Sequence, residues 1–422
     1  MELTPTPRRD AGVAPARISG PALPPAPRLV PRALASRHPG IAASAGVFTS
    51  ALMAFLAIGA ALPVLPTFVR GPLGAGDVAV GIVVGAFALT AVVCRPLAGR
   101  QADARGRRTV LVAGSLAMAL GGGLYLLAHS VAALVVARLV VGAGEGAVYT
   151  AGATWAVDLA PEDRRGLALG LFGLAVWGGL SLGPLAGEIL RSGVGYDGVW
   201  AATAVLPLAG AAIAARLPEA PFAGGRRDPG PLALFPRAAY RPGLALALAN
   251  IGYAALAGFV VLHLRARGIG GGASVFTAFA LAVFASRLVL SRVPDRAGAR
   301  RTAASAGLLE ALGLGIIALA HSLAVALCGA IVVGVGFSML FPSLALMVVG
   351  RVGGDRRGSA LGAFTAFFDI GVGLGGPLAG ATAALAGYPA VFVLAALAAL
   401  CTAALAGLGR GVENSAELAP AG

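Results

Sequence analysis

The sequence predicts an all-α polytopic membrane protein whose twelve transmembrane helices form two six-helix pseudo-repeats. Three observations carry this. Of the 422 residues, 58% are hydrophobic and 12% charged, too apolar for a soluble domain to hide. The apolar residues fall into runs of about 20, the length that crosses a bilayer core. The second half of the chain also repeats the first at a shift of 192 residues.

Residues 1–40 are rich in Pro, Ala and Arg and show no hydrophobic period, so they read as a disordered cytoplasmic tail. No apolar core follows the early arginines at signal-peptide distance, and the first long apolar run starts near Ile41. Spans are expected at about 41–65, 77–98, 109–128, 130–156, 166–189 and 198–216 in a first bundle, 41–216. A second bundle, 242–409, holds about 242–264, 272–290, 303–321, 323–349, 359–383 and 388–409. Between them, 217–241 carries Pro218, Pro221, Gly224, Gly225, Pro229, Gly230, Pro231 and Pro236 and reads as a cytoplasmic linker. Residues 410–422 form a second cytoplasmic tail.

All 32 basic residues are Arg, and they give the chain a net charge of +14. They lie in short loops on one alternating side rather than on one face, which speaks against nucleic acid as a partner. The other side holds only Arg70, Arg191, Arg265 and Arg267. The positive-inside bias then places both termini in the cytoplasm, with the chain a multi-pass protein of the plasma (inner) membrane. Cys94, Cys328 and Cys401 lie in or beside apolar runs, so they suggest neither a disulfide framework nor a metal site.

The repeat superimposes Arg95, Arg100, Asp103 and Gly106 on Arg287, Arg292, Asp295 and Gly298. It carries Val140, Val141, Gly142 and Gly144 onto Val332, Val333, Gly334 and Gly336, and Asp163 to Gly166 onto Asp355 to Gly358. One residue of slip later, Gly183-Pro184-Leu185-Ala186-Gly187 recurs as Gly376-Pro377-Leu378-Ala379-Gly380. Two parallel halves with a cavity at their interface, alternating in access, follow from such a repeat.

Over essentially everything after residue 40 the chain resembles a major facilitator superfamily transporter. The charged island at 95–109, with Gly99, Arg100, Asp103, Gly106, Arg107 and Arg108, resembles that superfamily's signature between its second and third helices. Arg138 with Gly142 and Gly144 resembles the fourth-helix motif. Gly179, Gly183, Pro184 and Gly187 resemble the fifth-helix motif of proton-driven antiporters. The resemblance implies the major facilitator fold and a gating latch, in which Asp103 meets the start of the eleventh helix near Gly358 and Ser359 while the island arginines meet Asp158 or Asp163. The glycines recur every four residues, a stripe that lets helices approach closely.

Charges inside spans cost about 2.5–3.5 kcal/mol at a helix centre, so each is a candidate for function. They are Arg138 and Glu145 in the fourth span, Glu310 in the ninth and Asp369 in the eleventh. None is duplicated: the repeat puts Ala330 opposite Arg138, Phe337 opposite Glu145, and Trp177 or Val176 opposite Asp369. Glu145 reads as a proton-accepting carboxylate in the central cavity or as a bonded structural acid. Arg138, two turns away on the same face, reads as a coupling or anion-binding cation or as a packing cation held by carbonyls. Asp369 reads as a second proton or cation site, or as structural, and Glu310 as a partner of Arg287. Tyr149, Trp177, Tyr253, Phe337, Phe341, Phe364 and Phe367, with Asn250 and Ser338, would suit a bulky, partly apolar or cationic compound, or are ordinary packing.

The function expected is secondary active transport: proton-coupled efflux of small lipophilic or cationic compounds, a drug or secondary metabolite, by a monomer in the lipid bilayer. The alternative is a proton-coupled uptake permease for a sugar or organic acid. The first span has no acid, which moves the proton site onto Glu145 and Asp369. An enzyme is not expected, since there is no Gly-Lys-Ser/Thr loop and no His-Glu-x-x-His, and the four histidines are scattered. No cofactor or metal is implied.

Overall fold

The computed structural model describes residues 1–2, 38–161, 164–219, 237–290, 293–352 and 357–408. The N-terminal tail (save its ends), most of the linker and the C-terminal tail expected from the sequence lie outside these residues. All regular structure among them is helical, and twelve segments are long and apolar enough to cross a membrane. The first half comprises α1 (His38–Ala61), α2 (Val64–Arg70), α3 (Asp77–Arg105), α4 (Arg107–Leu126), α5 (Val131–Asp158), α6 (Arg165–Val194) and α7 (Tyr196–Ala215). The second comprises α8 (Arg237–Ala266), α9 (Gly272–Val289), α10 (Val293–Ala297), α11 (Ala299–Leu319), α12 (Leu323–Val349), α13 (Arg357–Ala386) and α14 (Tyr388–Gly407). α1 and α2 together form the first span, Ala42–Arg70.

The repeat seen in the sequence extends to the punctuation of the helices. Ser130 caps α5 by accepting from the Ala133 N–H at 3.2 Å, and Ser322 caps α12 by accepting from the Val325 N–H at 3.3 Å. Both are N-cap bonds to a donor the helix leaves unpaired. The island is not the open loop that its charge suggests. α3 runs through it to Arg105, α4 begins at Arg107, and the chain turns on Gly106 alone at φ 95°. Its repeat mate Gly298 does the same at φ 85°. A side chain strains that backbone, so glycine is required twice. Helices outrun the apolar stretches because the backbone bonds persist past the hydrocarbon, while long arginine stems carry their charges to the interface.

The two halves meet mainly along α3 with α13 and α6 with α9, with smaller contacts of α2 and α3 on α8. The contact of α3 with α13 is closest at the end opposite the island. A Cβ on Gly85 would lie 2.7 Å from the Gly373 carbonyl oxygen, and one on Gly376 would lie 2.8 Å from the Gly85 nitrogen. At the same end the Tyr388 hydroxyl donates to Asp77 at 3.0 Å, and Arg70 lies 3.5 Å from the same carboxylate. Small residues thus bring the two backbones together without a ridge of side chains between them.

Candidate functional site

Between the halves lies a cavity of about 110 Å³. Its walls come from α1, α3, α5 and α6 on one side and α8, α9, α12 and α13 on the other, and they are largely aromatic: Phe55, Phe87, Tyr149, Trp177, Tyr253, Phe337, Phe341 and Phe368. Against this apolar lining stand four charges, Arg95, Glu145, Arg287 and Asp369.

Arg95 is the hub. Its Nε donates to Asp369 Oδ2 at 2.7 Å and its Nη2 to Asp369 Oδ1 at 3.2 Å, a bidentate fork. The same Nη2 donates to both Glu145 oxygens at 3.1 Å. The guanidinium carbon lies 4.6 Å from the centre of the Tyr149 ring, a cation–π contact. The side chains of Arg95, Glu145 and Asp369 are 14%, 6% and 1% exposed, so one cation serves two desolvated acids. Arg95 and Glu145 belong to the first half and Asp369 to the second, so the cluster ties the halves together at mid-height.

Arg95 is the cavity charge that sequence reasoning missed, because its place in the island made it look like a surface charge. A signal was present. Val84, Ala88, Ala91, Arg95, Ala98 and Ala102 alternate in steps of four and three, one helical stripe. Five of these are buried in the structure, and Arg95 rides the same face. Arg100 falls off that stripe and is exposed, while Arg105 continues it at the last residue of α3 and is exposed there too.

Arg138 does not line this cavity, where its reading as a coupling or anion-binding cation puts it; its contacts are those of the alternative, a packing cation held by carbonyls. It is 1% exposed and donates to the carbonyls of Val83 and Val84 at 3.0 and 3.1 Å, with its guanidinium carbon 4.5 Å from the Phe87 ring centre. Seven residues of helix set it about 10 Å from Glu145, level with the first half of α3 rather than with Arg95. Asn250 is likewise absent from the lining: its amide donates to the Leu246 carbonyl at 2.8 Å, and a Cβ on Gly371 would lie 2.8 Å from its own Cβ, so α13 covers it. Ser338 donates to the Val283 carbonyl. Glu310 does not pair with Arg287. It is fully buried beside Gly252, and neither carboxylate oxygen has a hydrogen-bond partner among the described residues.

In the island, Asp103 pairs with Arg107, which also donates to Asp158 at 2.9 Å. Asp103 is 69% exposed. Its expected partners Gly358 and Ser359 have side-chain positions outside those described, as has Asp163. Arg108 binds the start of the linker, its N–H donating to Glu219 at 3.1 Å and its guanidinium to the Leu217 carbonyl at 3.2 Å. A Cβ on Gly99 would lie 3.7 Å from the Thr150 methyl group, an ordinary contact. The stripe of Gly179, Gly183 and Gly187 packs on α1: a Cβ on Gly179 would lie 2.6 Å from the Leu56 nitrogen, and one on Gly183 2.5 Å from the Gly59 Cα. Pro184 sits within α6 beside this stripe.

Two six-helix halves around a central cavity with a buried charge cluster, closed at one end by helix contact, define a secondary transporter. The chain matches the Major Facilitator Superfamily over residues 47–274 and 243–422, and it belongs to that family. An uncharacterised transporter of this type from Salmonella typhimurium is 34% identical over 360 residues, 83% of this chain and 92% of that one. Another from Pseudomonas aeruginosa is 33% identical over 360 residues, 83% of this chain and 89% of that one. Among solved structures, a mutant of the nucleoside transporter NupG matches with a TM-score of 0.74 at 15% identity, over 86% of this chain and 98% of that one. The human organic anion transporter MFSD10 (TETRAN) matches with a TM-score of 0.66 at 21% identity, over 87% and 99%. At those identities the structures speak for the fold alone.

Proposed function

We propose that this transporter is proton-coupled and exports small lipophilic compounds by alternating access, with Glu145, Arg95 and Asp369 as the coupling centre. The observation that carries this reading is the sharing of one guanidinium by two buried acids from opposite halves. A proton on Asp369 removes the charge that holds Arg95 across the interface, so protonation acts directly on the tie between halves. Proton uptake on one side of the membrane and release on the other then drive the switch. The aromatic walls offer flat apolar surface to the cargo. Neither acid is free for a cationic compound while Arg95 holds both, so the geometry supports lipophilic cargo better than cationic cargo.

The island end is taken as cytoplasmic on the arginine distribution. The contact of α3 with α13 at the far end then makes this the inward-facing state. Both termini, the linker at 217–241 and the tails at 1–40 and 410–422 are assigned to the cytoplasm, and the protein acts as a monomer. In the outward-facing state Asp103 and its arginines serve as the latch between halves. Transport into everted vesicles of a compound panel, with and without an imposed pH gradient, tests the coupling. Glu145→Gln and Asp369→Asn should abolish the pH-driven flux, and unchanged flux in both would refute it. The second reading, uptake of an organic acid together with protons, draws on one observation: Arg287 lines the same cavity without an acidic partner among the described residues.

A further inference from the structure

Each half turns one arginine toward the cavity, and the two have opposite surroundings. Arg95 on α3 and Arg287 on α9 are mates in the repeat. Around Arg95 stand Glu145 and Asp369. The repeat carries Glu145 onto Phe337 and Asp369 onto Trp177 or, after the slip, Val176, and all three line the cavity together with Arg287. Its guanidinium carbon lies 5.4 Å from the Trp177 ring centre, and Trp177 meets Phe337 edge-on at 5.8 Å. The equivalence is one of contact as well as of number: Asp369 touches Arg95, and Trp177 touches Arg287. Tyr253 stacks on Phe337 at 6.0 Å with 23° between the planes, extending the wall. The Arg287 Nε is buried without a hydrogen-bond partner, and no ion pair to Arg287 occurs among the described residues. Each arginine keeps one buried nitrogen without a hydrogen-bond partner, Nη1 of Arg95 and Nε of Arg287, but Arg95 is paired with two acids and Arg287, among the described residues, with none.

We propose that Arg287 binds an anionic group on the transported compound while the rings of Trp177, Phe337 and Tyr253 hold its flat apolar body, so that the substrate is a small aromatic monoanion. The inference rests on the reading of this cavity as the transport site. A guanidinium presents a planar fork of N–H donors that matches a carboxylate or a phosphonate, and it is weakly hydrated enough to work among rings. Stripped of its acids, the Arg287 site is a copy of the coupling centre whose missing carboxylate the cargo supplies. A cationic compound would meet a like charge there. An anion leaving the cell also moves down the membrane potential, which suits export.

The test is equilibrium binding to the full-length protein in lipid nanodiscs. The probes are 2-naphthoate, indole-3-acetate and 4-biphenylcarboxylate, each beside its primary amide and its primary amine. At least one acid should bind about ten- to a hundredfold more tightly than its own amide and amine, the range for a hydrogen-bonded charge. Arg287→Gln should erase that preference, and Arg287→Lys, which keeps the charge but loses the fork, should retain a reduced one. The inference is overturned if no acid is preferred by the wild type, which includes the case in which none of these compounds binds, or if the glutamine variant keeps the preference. Should the glutamine variant not fold, the lysine variant decides, since a preference undiminished by loss of the fork also overturns it. Proton coupling is read separately: a wild-type acid preference with no pH-driven flux would sink only the coupling reading, and the converse only this one.

Discussion

Replacing Arg95 with Gln removes the only cation that touches either Glu145 or Asp369 among the described residues. Four N–H···O contacts of 2.7–3.2 Å go with it, and two acids no more than 6% exposed are left facing each other's charge. Breaking a buried ion pair by deleting one partner costs about 3–5 kcal/mol, because the remaining charge stays desolvated. Removing all three charges avoids that cost, since three amides leave no desolvated charge and can hydrogen-bond one another. The expectation is therefore an ordering. Arg95→Gln unfolds at a clearly lower temperature than the wild type in detergent at pH 8, and the triple variant Arg95→Gln, Glu145→Gln, Asp369→Asn recovers most of the loss. The deficit of the single variant also shrinks as the pH falls toward 5, because protonated acids need no cation. Thermal unfolding followed by intrinsic fluorescence, with size-exclusion recovery as a second readout, measures each step. A single variant as stable as the wild type at pH 8, or a triple variant less stable than the single one, would refute the idea that Arg95 neutralises both acids.

Three further outcomes follow from the packing. Gly85→Ala puts a methyl group 2.7 Å from the Gly373 carbonyl oxygen, and overpacking of this kind costs about 1–3 kcal/mol; the closed contact of α3 with α13 should loosen, seen as faster alkylation of a cysteine introduced at Val80, and an unchanged rate would argue against close packing there. Gly183→Leu sets a branched side chain against Gly59 on α1, so folding or transport should fail, and a well-folded, fully active variant would count against the α1–α6 seam. Asp103→Asn should alter the stability of this conformation by no more than about 0.5 kcal/mol, as an exposed charge does, yet lower the outward-facing population measured by spin-label distances across the island face; unchanged distances would remove Asp103 from the latch.

Much of the architecture is legible in the sequence because what determines it is local. A helix must bury its backbone polar groups within a bilayer, so a run of about 20 apolar residues reports a span without reference to its neighbours. Gly106 and Gly298 announce their turns, and Ser130 and Ser322 their caps, for equally local reasons. The repeat then says which helices correspond, and the motifs it contains point to the family. Glu145 and Asp369 could be singled out in the same way, since an acid inside an apolar run is anomalous on its own helix.

What the sequence could not decide is which charge meets which. Arg95 and Asp369 are 274 residues apart and on helices of different halves, and only their packing puts a guanidinium between two acids. The same packing turned Arg138 toward the Val83 and Val84 carbonyls and covered Asn250 with α13, though both were candidates for the cavity. Arg287 carries the lesson furthest: the repeat marked it as the twin of Arg95, and tertiary structure alone set it against the Trp177 ring instead of carboxylates. The physical reason is range. Hydrophobic burial and helix punctuation act along a few turns of one chain segment, whereas the pairing of a desolvated charge depends on whatever side chain the opposite helix brings within about 3 Å.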